Sequence, residues 1–372
     1  MSYELKDLSI VLPSYNNLEY LKLAYKSVRD ISDDIEIILY GDGCTDGTNE
    51  WLLSLKHKNT ITHIYSEKIG HTILYDYGFQ TASRPVIGIL HADMIVHKNF
   101  FENILKHVGE NKIVCGMCVE PPIHPAGNEK YQLDAGNYPN EFNQSKFDEL
   151  YESIEKNTTN NGIFAPWYLL KDEYINILGG HDPQFQTIED VDIFNRMVIA
   201  GFDIIQSRDA LVYHFTQRGH KFEGGDLNKV QDDYQTRIEN DTKKYIRKWG
   251  ASWQFDINHR PIPVPKYNIG LIIYNAPTDL VIFLEPYFTT IYTNNLGQVE
   301  GVSKLKDIND ELTNDIFVTV NAEHLTNENI EFLMKLPFIL KQNTQIGSFK
   351  VDIFNLYIKN YNQYQNELIK VN

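Results

Sequence analysis

The sequence is poor in cysteine, in long apolar runs and in positive charge. Three cysteines in 372 residues cannot build a framework in which every cysteine is paired, so we expect a reducing compartment. The apolar runs fall short of the roughly 18 residues that span a bilayer, and the first residues lack the regions of a signal peptide. These features predict a cytoplasmic protein without a transmembrane segment.

The shortage of positive charge bears on the partners of the protein. The chain has 34 Lys and Arg against 50 Asp and Glu, a formal net charge of -16. Nucleic-acid binding over a wide surface needs clustered basic side chains that neutralise phosphates, so a nucleic-acid partner is not expected, though the charge alone does not exclude one. Cys115 and Cys118 form a lone C-x-x-C, which we interpret as part of a buried strand.

What the sequence does contain is an alternation of short β-branched runs and longer amphipathic stretches. This pattern is typical of an α/β fold in which helices cover a parallel sheet. Strands are predicted at residues 8–12, 35–40, 62–65, 86–90 and 112–119, with helices at 18–30, 48–56, 72–82 and 99–108 between them. A long polar stretch follows residue 120, and then a helix is predicted at 190–200 and strands at 202–206 and 211–214.

Proline marks the most probable change of domain. Pro261, Pro263 and Pro265 stand at every second position, which favours an extended spacer. We therefore predict a large domain over residues 1–258, a linker over 259–268 and a small α/β domain of unknown role over 269–372. In the small domain, strands are predicted at 269–274, 280–284, 316–320 and 349–356, and a helix at 327–335.

Polar residues cluster where the predicted strands end, which is where open α/β sheets bind ligands. The first strand leads into Pro-Ser-Tyr-Asn at 13–16, the second into Gly-Asp-Gly at 41–43 and the fourth into His-Ala-Asp at 91–93, and Glu-Asp-Val-Asp at 189–192 opens the later helix. Taken singly, each motif can be explained as a turn or a helix cap. Their combination in this order points instead to one ligand site.

The motifs together resemble those of the inverting nucleotide-sugar glycosyltransferases of family 2, whose patterns are P-x-Y-N, D-D-G-S-x-D-G-T, D-x-D and E-D. The resemblance covers about residues 7–220 and includes Leu-Gly-Gly-His-Asp at 178–182 and Ala-Gly-Phe at 200–202. It implies the GT-A fold, with a Rossmann-like, mostly parallel sheet. It also implies transfer of a sugar from a nucleotide-diphosphate donor, preferably UDP-linked, to a hydroxyl of a glycan, a lipid-linked glycan or another acceptor.

The resemblance assigns the donor-binding residues as well. Pro13, Tyr15 and Asn16 would line the base and ribose, with Tyr15 stacked on the base, and Asp42 would accept a hydrogen bond from it. His91 and Asp93 occupy the two acidic positions of the D-x-D motif.

The same comparison implies a metal ion. Asp93 would hold Mn²⁺ or Mg²⁺ against the donor diphosphate, because hard divalent cations prefer oxygen ligands. His214, at the end of a predicted strand, would be a second ligand, and an imidazole favours Mn²⁺ over Mg²⁺. A structural role for His214 stays open, and His220 is the weaker alternative.

For catalysis, the resemblance implies that the E-D motif takes the acceptor proton. Asp190 is the predicted general base, with Glu189 as its neighbour and second choice. Acidic residues also stabilise a helix N-terminus, so capping is the alternative. Asp192 lies four residues before Arg196, and we assign it to an ion pair within the helix.

The sequence also departs from the family pattern, at Gly41, Cys44, His91, Tyr75 and Asp76. These changes leave the base and the sugar of the donor less defined. Two other functions stay open. One is a sugar-phosphate nucleotidyltransferase, although that reaction would want a Gly-rich basic loop after the first strand. The other is a sugar- or nucleotide-binding module without catalysis.

Overall fold

The structure is a computed structural model, and it describes residues 2–163, 165–218, 220–296 and 304–371. The chain forms two compact units. The first comprises Met1–Ile238, Phe255–Pro261 and Lys370–Asn372, and the second comprises Glu239–Gln254 and Ile262–Ile369. Residues 239–254 thus belong to the second unit although they precede the predicted spacer. The division at 258 and 269 into separately folding domains stays a proposal.

The first unit contains ten strands within the described residues. They are β1 Leu8–Ser14, β2 Glu36–Asp42, β3 Thr60–Tyr65, β4 Val86–Ile89, β5 Met94–Val96, β6 Lys112–Glu120, β7 Lys130–Gln132, β8 Thr159–Asn160, β9 Trp167–Leu170 and β10 Asp203–His214. The helices that begin in this unit are α1 Leu18–Arg29, α2 Thr48–Ser54, α3 His71–Thr81, α4 Phe100–Leu105, α5 Gln144–Ser153, α6 Lys171–Glu173, α7 Glu189–Ile199 and α8 Tyr234–Trp249. The chain continues from α6 as a π-helical turn, Tyr174–Leu178.

One sheet organises this unit, with the strand order β3-β2-β1-β4-β9-β6-β10-β5. The strands β3, β2, β1 and β4 run parallel, and β9 runs antiparallel between β4 and β6. All residues of β1 and β2 are buried, as expected for strands covered on both faces. The predicted α/β fold with a mostly parallel sheet is confirmed, and the carboxyl ends of β1, β2 and β4 meet at one edge.

Two details of this unit differ from the sequence prediction. The strands predicted at 202–206 and 211–214 are one strand, β10, whose pairing with β6 shifts register between Gln206 and Leu211. Such an irregularity bends a strand without ending it. The polar stretch after residue 120 contains α5, which Asn143 caps by accepting a hydrogen bond from the Lys146 amide. Phe147 anchors this helix because its side chain is fully buried.

The second unit has a smaller sheet, of order β13-β12-β11-β14-β16-β15. Its strands are β11 Ile269–Tyr274, β12 Thr290–Thr293, β13 Leu305–Asp307, β14 Ile316–Asn321, β15 Gly347–Val351 and β16 Phe354–Ile358, and its further helices are α9 Thr278–Leu284 and α10 Asn327–Lys341. The predicted α/β character of this segment is confirmed. In the described part of the chain, helices that are both long and apolar enough to cross a bilayer are absent.

Two predictions in this segment were wrong. Residues 280–284 form a helix, because Val281 and Leu284 lie on one helical face and pack into the core of this unit. Residues 349–356 are not a single strand but belong to a hairpin, in which Asp352 adopts a positive φ of 49° between β15 and β16.

Candidate active site

A cleft of about 410 Å³ lies at the carboxyl ends of the parallel strands. Six of the residues predicted for the site line it, namely Pro13, Tyr15, Asp42, His91, Asp93 and Glu189. Asn16, Asp190 and His214 are not among its lining residues. The cleft also has basic residues that the motifs did not indicate, Lys68, Arg218 and Arg237.

The end of β1 forms one wall. Asn16 has a positive φ of 49°, and its side-chain oxygen accepts a hydrogen bond of 2.7 Å from the Thr45 amide. This bond ties the loop after β1 to the loop after β2. The Tyr15 ring carries the Lys68 ammonium group 3.8 Å from its centre, a cation–π contact.

Asp42 is fixed by the backbone of the loop before α3. Its carboxylate accepts hydrogen bonds from the amides of Ile69 at 2.7 Å and Gly70 at 3.1 Å. The residue is 2% exposed. Asp42 therefore holds the start of α3 against the end of β2, and both of its oxygens already accept a backbone donor.

A group of metal-binding side chains lies where β4 leads into β5. One ligand atom each from His91, Asp93 and His214 lies within 4.8 Å of the others. His214 reaches this place because β10 pairs antiparallel with β5, with His214 opposite Met94. The distance from His214 Nε2 to Asp93 Oδ1 is 3.5 Å. Two imidazoles and a carboxylate suit Mn²⁺.

The protonation states of these three side chains decide how readily they could bind a metal ion. Burial and the neighbouring His214 lower the pKa of His91 to about 4, so its ring keeps a free lone pair at neutral pH. Although burial opposes it, His214 and His91 lower the pKa of Asp93, which stays ionised. Burial alone would lower the pKa of His214, but its contacts with Asp93, Cys118 and Glu120 raise it. A proton and a divalent cation would therefore compete for the His214 ring.

Glu120 is a member of the site that the sequence did not reveal. Its Oε1 lies 3.2 Å from His214 Nδ1, and its Oε2 accepts a hydrogen bond of 2.7 Å from Lys130 Nζ. The parallel register pairs Val119 with Tyr213, so Glu120 and His214 come next to each other at the strand ends. A carboxylate behind a histidine ligand fixes its ring and tautomer.

Cys118 also lies near Glu120 and His214, and the three form a second group of ligand atoms. Its Sγ donates a hydrogen bond to the Ala165 carbonyl, at 3.0 Å. Burial raises the pKa of the Cys118 thiol to about 11, and a metal binds the thiolate rather than the thiol. The assignment of Cys118 to a buried strand is confirmed. The group formed by His91, Asp93 and His214 is the better metal site.

The start of α7 supplies the acidic residues on the opposite wall. Glu189 lines the cleft, and its Oε1 lies 2.7 Å from His71 Nε2. Asp190 is exposed. Although the residue as a whole is exposed, desolvation of its carboxyl group and the negative charge of Glu189 raise the pKa of Asp190 to about 7, which is in the range of a general base at neutral pH.

Asp192 and Arg196 hold this wall in place. The predicted pair is confirmed, with Arg196 Nε donating to Asp192 Oδ2 at 2.9 Å. The Nη1 group of Arg196 donates to the carbonyls of Leu178 and Gly180. Both charged side chains are buried. The Gly-Gly turn is thereby tied to α7, which fixes where Glu189 and Asp190 stand.

Arg218 brings positive charge to the metal side of the cleft. Its amide donates to Asp93 Oδ2 at 2.9 Å, and its guanidinium donates to the carbonyls of Thr216 and Asn137. The residue is 4% exposed. A buried guanidinium hydrogen-bonded to neutral carbonyls suits an anionic ligand such as a diphosphate.

The fold is α/β with a mostly parallel sheet and a cleft at its strand ends, and the comparisons show which known proteins it resembles. Residues 9–169 match the model of glycosyl transferase family 2. The match covers 161 of the 372 residues, so this part of the chain is similar to family 2 glycosyltransferases.

Relatives of known sequence match this chain only in part. Validoxylamine A glucosyltransferase from Streptomyces hygroscopicus subsp. jinggangensis is 25% identical over 119 residues, which are 30% of this chain and 28% of the relative. An uncharacterized glycosyltransferase from Nostoc sp. is 28% identical over 102 residues, 27% of this chain and 32% of the relative. The chain thus spans less than a third of the length of either relative.

Among solved structures, a mannosyltransferase from Pyrobaculum calidifontis in complex with GDP-Man and Mn²⁺ is similar. The TM-score is 0.41 and the identity 14%, over 58% of this chain and 59% of that chain.

Proposed function

We propose that the chain transfers a sugar from a nucleotide-diphosphate sugar to an acceptor hydroxyl, with inversion at the anomeric carbon. The preferred donor in this proposal is a UDP-linked sugar. The observation that carries this proposal is that His91 and Asp93 line the cleft that Tyr15 and Asp42 also border, with a ligand atom of His214 within 4.8 Å of theirs. A nucleotide slot and a divalent cation site next to each other are what a nucleotide-sugar donor requires.

The donor would lie along the strand ends. Tyr15 would stack on the base, and Asp42, Pro13 and Asn16 would shape the base and ribose pocket. The diphosphate would face Asp93, His91 and His214, with Mn²⁺ or Mg²⁺ offsetting the charge on the departing nucleoside diphosphate. Lys68 and Arg218 add positive charge to the same cleft, although the whole chain is acidic.

The acceptor hydroxyl would attack the anomeric carbon from the side of α7. The motif assigns its proton to Asp190, with Glu189 as second choice. Of these two carboxylates, Glu189 lines the cleft and Asp190 is exposed beside it.

The test is binding followed by donor cleavage. In calorimetry, we expect UDP to bind the protein when Mn²⁺ is present and to bind far more weakly when EDTA removes it. We also expect the protein to hydrolyse at least one of UDP-glucose, UDP-N-acetylglucosamine and GDP-mannose slowly. UDP and GDP both failing to bind with Mn²⁺ would contradict the proposal. Tight binding without hydrolysis or transfer of any donor would instead identify a binding module.

A further inference from the structure

His71 stands at the first position of α3, and its imidazole lines the donor cleft. Its Nε2 lies 2.7 Å from Glu189 Oε1. The His71 side chain is 25% exposed and that of Glu189 13%. The histidine is therefore the member of the pair that is more open to the cleft, and the carboxylate lies behind it.

The two ring nitrogens of His71 have different surroundings. Nε2 contacts the carboxylate, whereas Nδ1 makes no hydrogen bond to any of the described residues. A carboxylate that lies against one imidazole nitrogen fixes the tautomer and stabilises the imidazolium that forms when the other nitrogen takes up a proton. Glu189 and His71 have this arrangement.

The titratable and charged groups around His71 come from four places. Glu189 and Asp190 act on it from α7, Tyr75 from α3, Asp42, Lys68 and His91 from the strand ends, and His220 from the loop after β10. Burial opposes protonation of His71, but the Glu189 charge outweighs it and raises the pKa of the imidazole. Burial and His71 together lower the pKa of His220 to about 4, so His220 adds no charge at neutral pH.

We propose that His71 and Glu189 form a catalytic dyad, in which His71 takes the proton of the attacking hydroxyl and Glu189 orients and charges the ring. This inference rests on the proposed function, since it assigns one step of that reaction. The hydroxyl oxygen forms the new bond to the anomeric carbon while the bond from that carbon to the phosphate oxygen breaks. The electron pair leaves with the nucleoside diphosphate, and the proton passes to His71 Nδ1.

The dyad predicts a pH dependence whose sign follows from the raised pKa. His71 accepts a proton only when it is neutral, so the turnover number should rise with pH through the pKa of His71, above its ordinary value of about 6.5. The pKa of Asp190 is raised as well, so the loss of turnover in His71→Gln, and not the pH profile alone, separates the two bases. In Glu189→Gln the charge that raises the pKa is gone, so the rise should move to lower pH.

The experiment measures hydrolysis of UDP-glucose, UDP-N-acetylglucosamine and GDP-mannose with Mn²⁺ from pH 5 to 9. We expect His71→Gln to lower the turnover number by ~10²–10⁴-fold while the affinity for UDP and Mn²⁺ is kept. His57→Gln is the matched control, because His57 pairs with Asp33 at 3.1 Å and is not among the lining residues of the cleft. His57→Gln should match the wild type.

An independent readout is the NMR titration of the His71 Cε1 proton in the wild type and in Glu189→Gln, which needs no donor. We expect a midpoint above 6.5 in the wild type and a lower one in the variant. The dyad is overturned if His71→Gln hydrolyses donor within threefold of the wild type, or if the two midpoints coincide. If the wild type hydrolyses no donor but the NMR midpoints shift as expected, the pairing stands and the proposed function fails.

Discussion

Glu120 gives the sharpest test of the proposed metal site, because its carboxylate would act on the metal through His214. Its Oε1 lies 3.2 Å from His214 Nδ1, while Lys130 occupies its other oxygen. The substitution Glu120→Gln keeps the size of the side chain and an oxygen acceptor, but removes the negative charge. Glu120→Ala is the poorer choice, since it would also remove the 2.7 Å ion pair with the buried Lys130 ammonium group.

The expected magnitude follows from that indirect role. Loss of a residue that supports a metal ligand costs about 10–100-fold in metal affinity. At about 1.4 kcal/mol for each factor of ten, this is about 1.4–2.8 kcal/mol. Glu120→Gln should fall near the lower end, because the amide oxygen can still accept a hydrogen bond from His214 Nδ1.

The assay is the affinity for Mn²⁺ in the presence of saturating UDP, measured by electron paramagnetic resonance of free Mn²⁺. Glu149→Gln is the matched control, since Glu149 is exposed on α5 and loses the same charge. An affinity of Glu120→Gln within twofold of that control would refute the supporting role. Complete loss of Mn²⁺ binding would show that Glu120 is itself a ligand.

Two further predictions concern binding and stability. Asp93→Asn should remove Mn²⁺-dependent UDP binding, because the amide lacks the charge that holds the cation; unchanged binding in calorimetry would exclude Asp93 as a ligand. Asp192→Ala should lower the free energy of unfolding of the first unit by about 3–5 kcal/mol, because it breaks a buried ion pair by removing the carboxylate to which Arg196 Nε donates. Urea unfolding followed by circular dichroism measures this change, and a loss below 1 kcal/mol would contradict it.

The elements of the first sheet could be predicted because their signals are local. Strands β1 to β4 are short apolar runs between amphipathic helices, and their observed ends lie within two residues of the predicted ones. Parallel strands that end at one edge bring their following loops together. Pro13, Asp42 and Asp93 therefore share one cleft although they are far apart in sequence.

Other features depend on which strands become neighbours, and the sequence does not contain that information locally. The insertion of β9 between β4 and β6 is one example. Glu120 is another, since it directly follows the strand predicted at 112–119, and its contact with His214 depends on the pairing of β6 with β10. Residues 280–284 show the limit of local signals, because a five-residue apolar run fits a strand or a buried helix equally well.

For the proton acceptor, the motif supplies the candidate residues and the structure shows which of them line the cleft. The Glu-Asp motif places two carboxylates at the start of α7, but it cannot say which one meets the cleft. The contact between His71 and Glu189 joins α3 to α7, 118 residues apart in sequence. It makes His71 a third candidate for the proton acceptor, and substitutions can distinguish it from Asp190. If Asp190 is the base, as the motif predicts, Asp190→Asn should lose ~10²–10⁴-fold in turnover at pH values above the raised pKa of Asp190. If the dyad takes the proton, Asp190→Asn should keep most of its turnover, and the rise with pH should stay where the wild type has it.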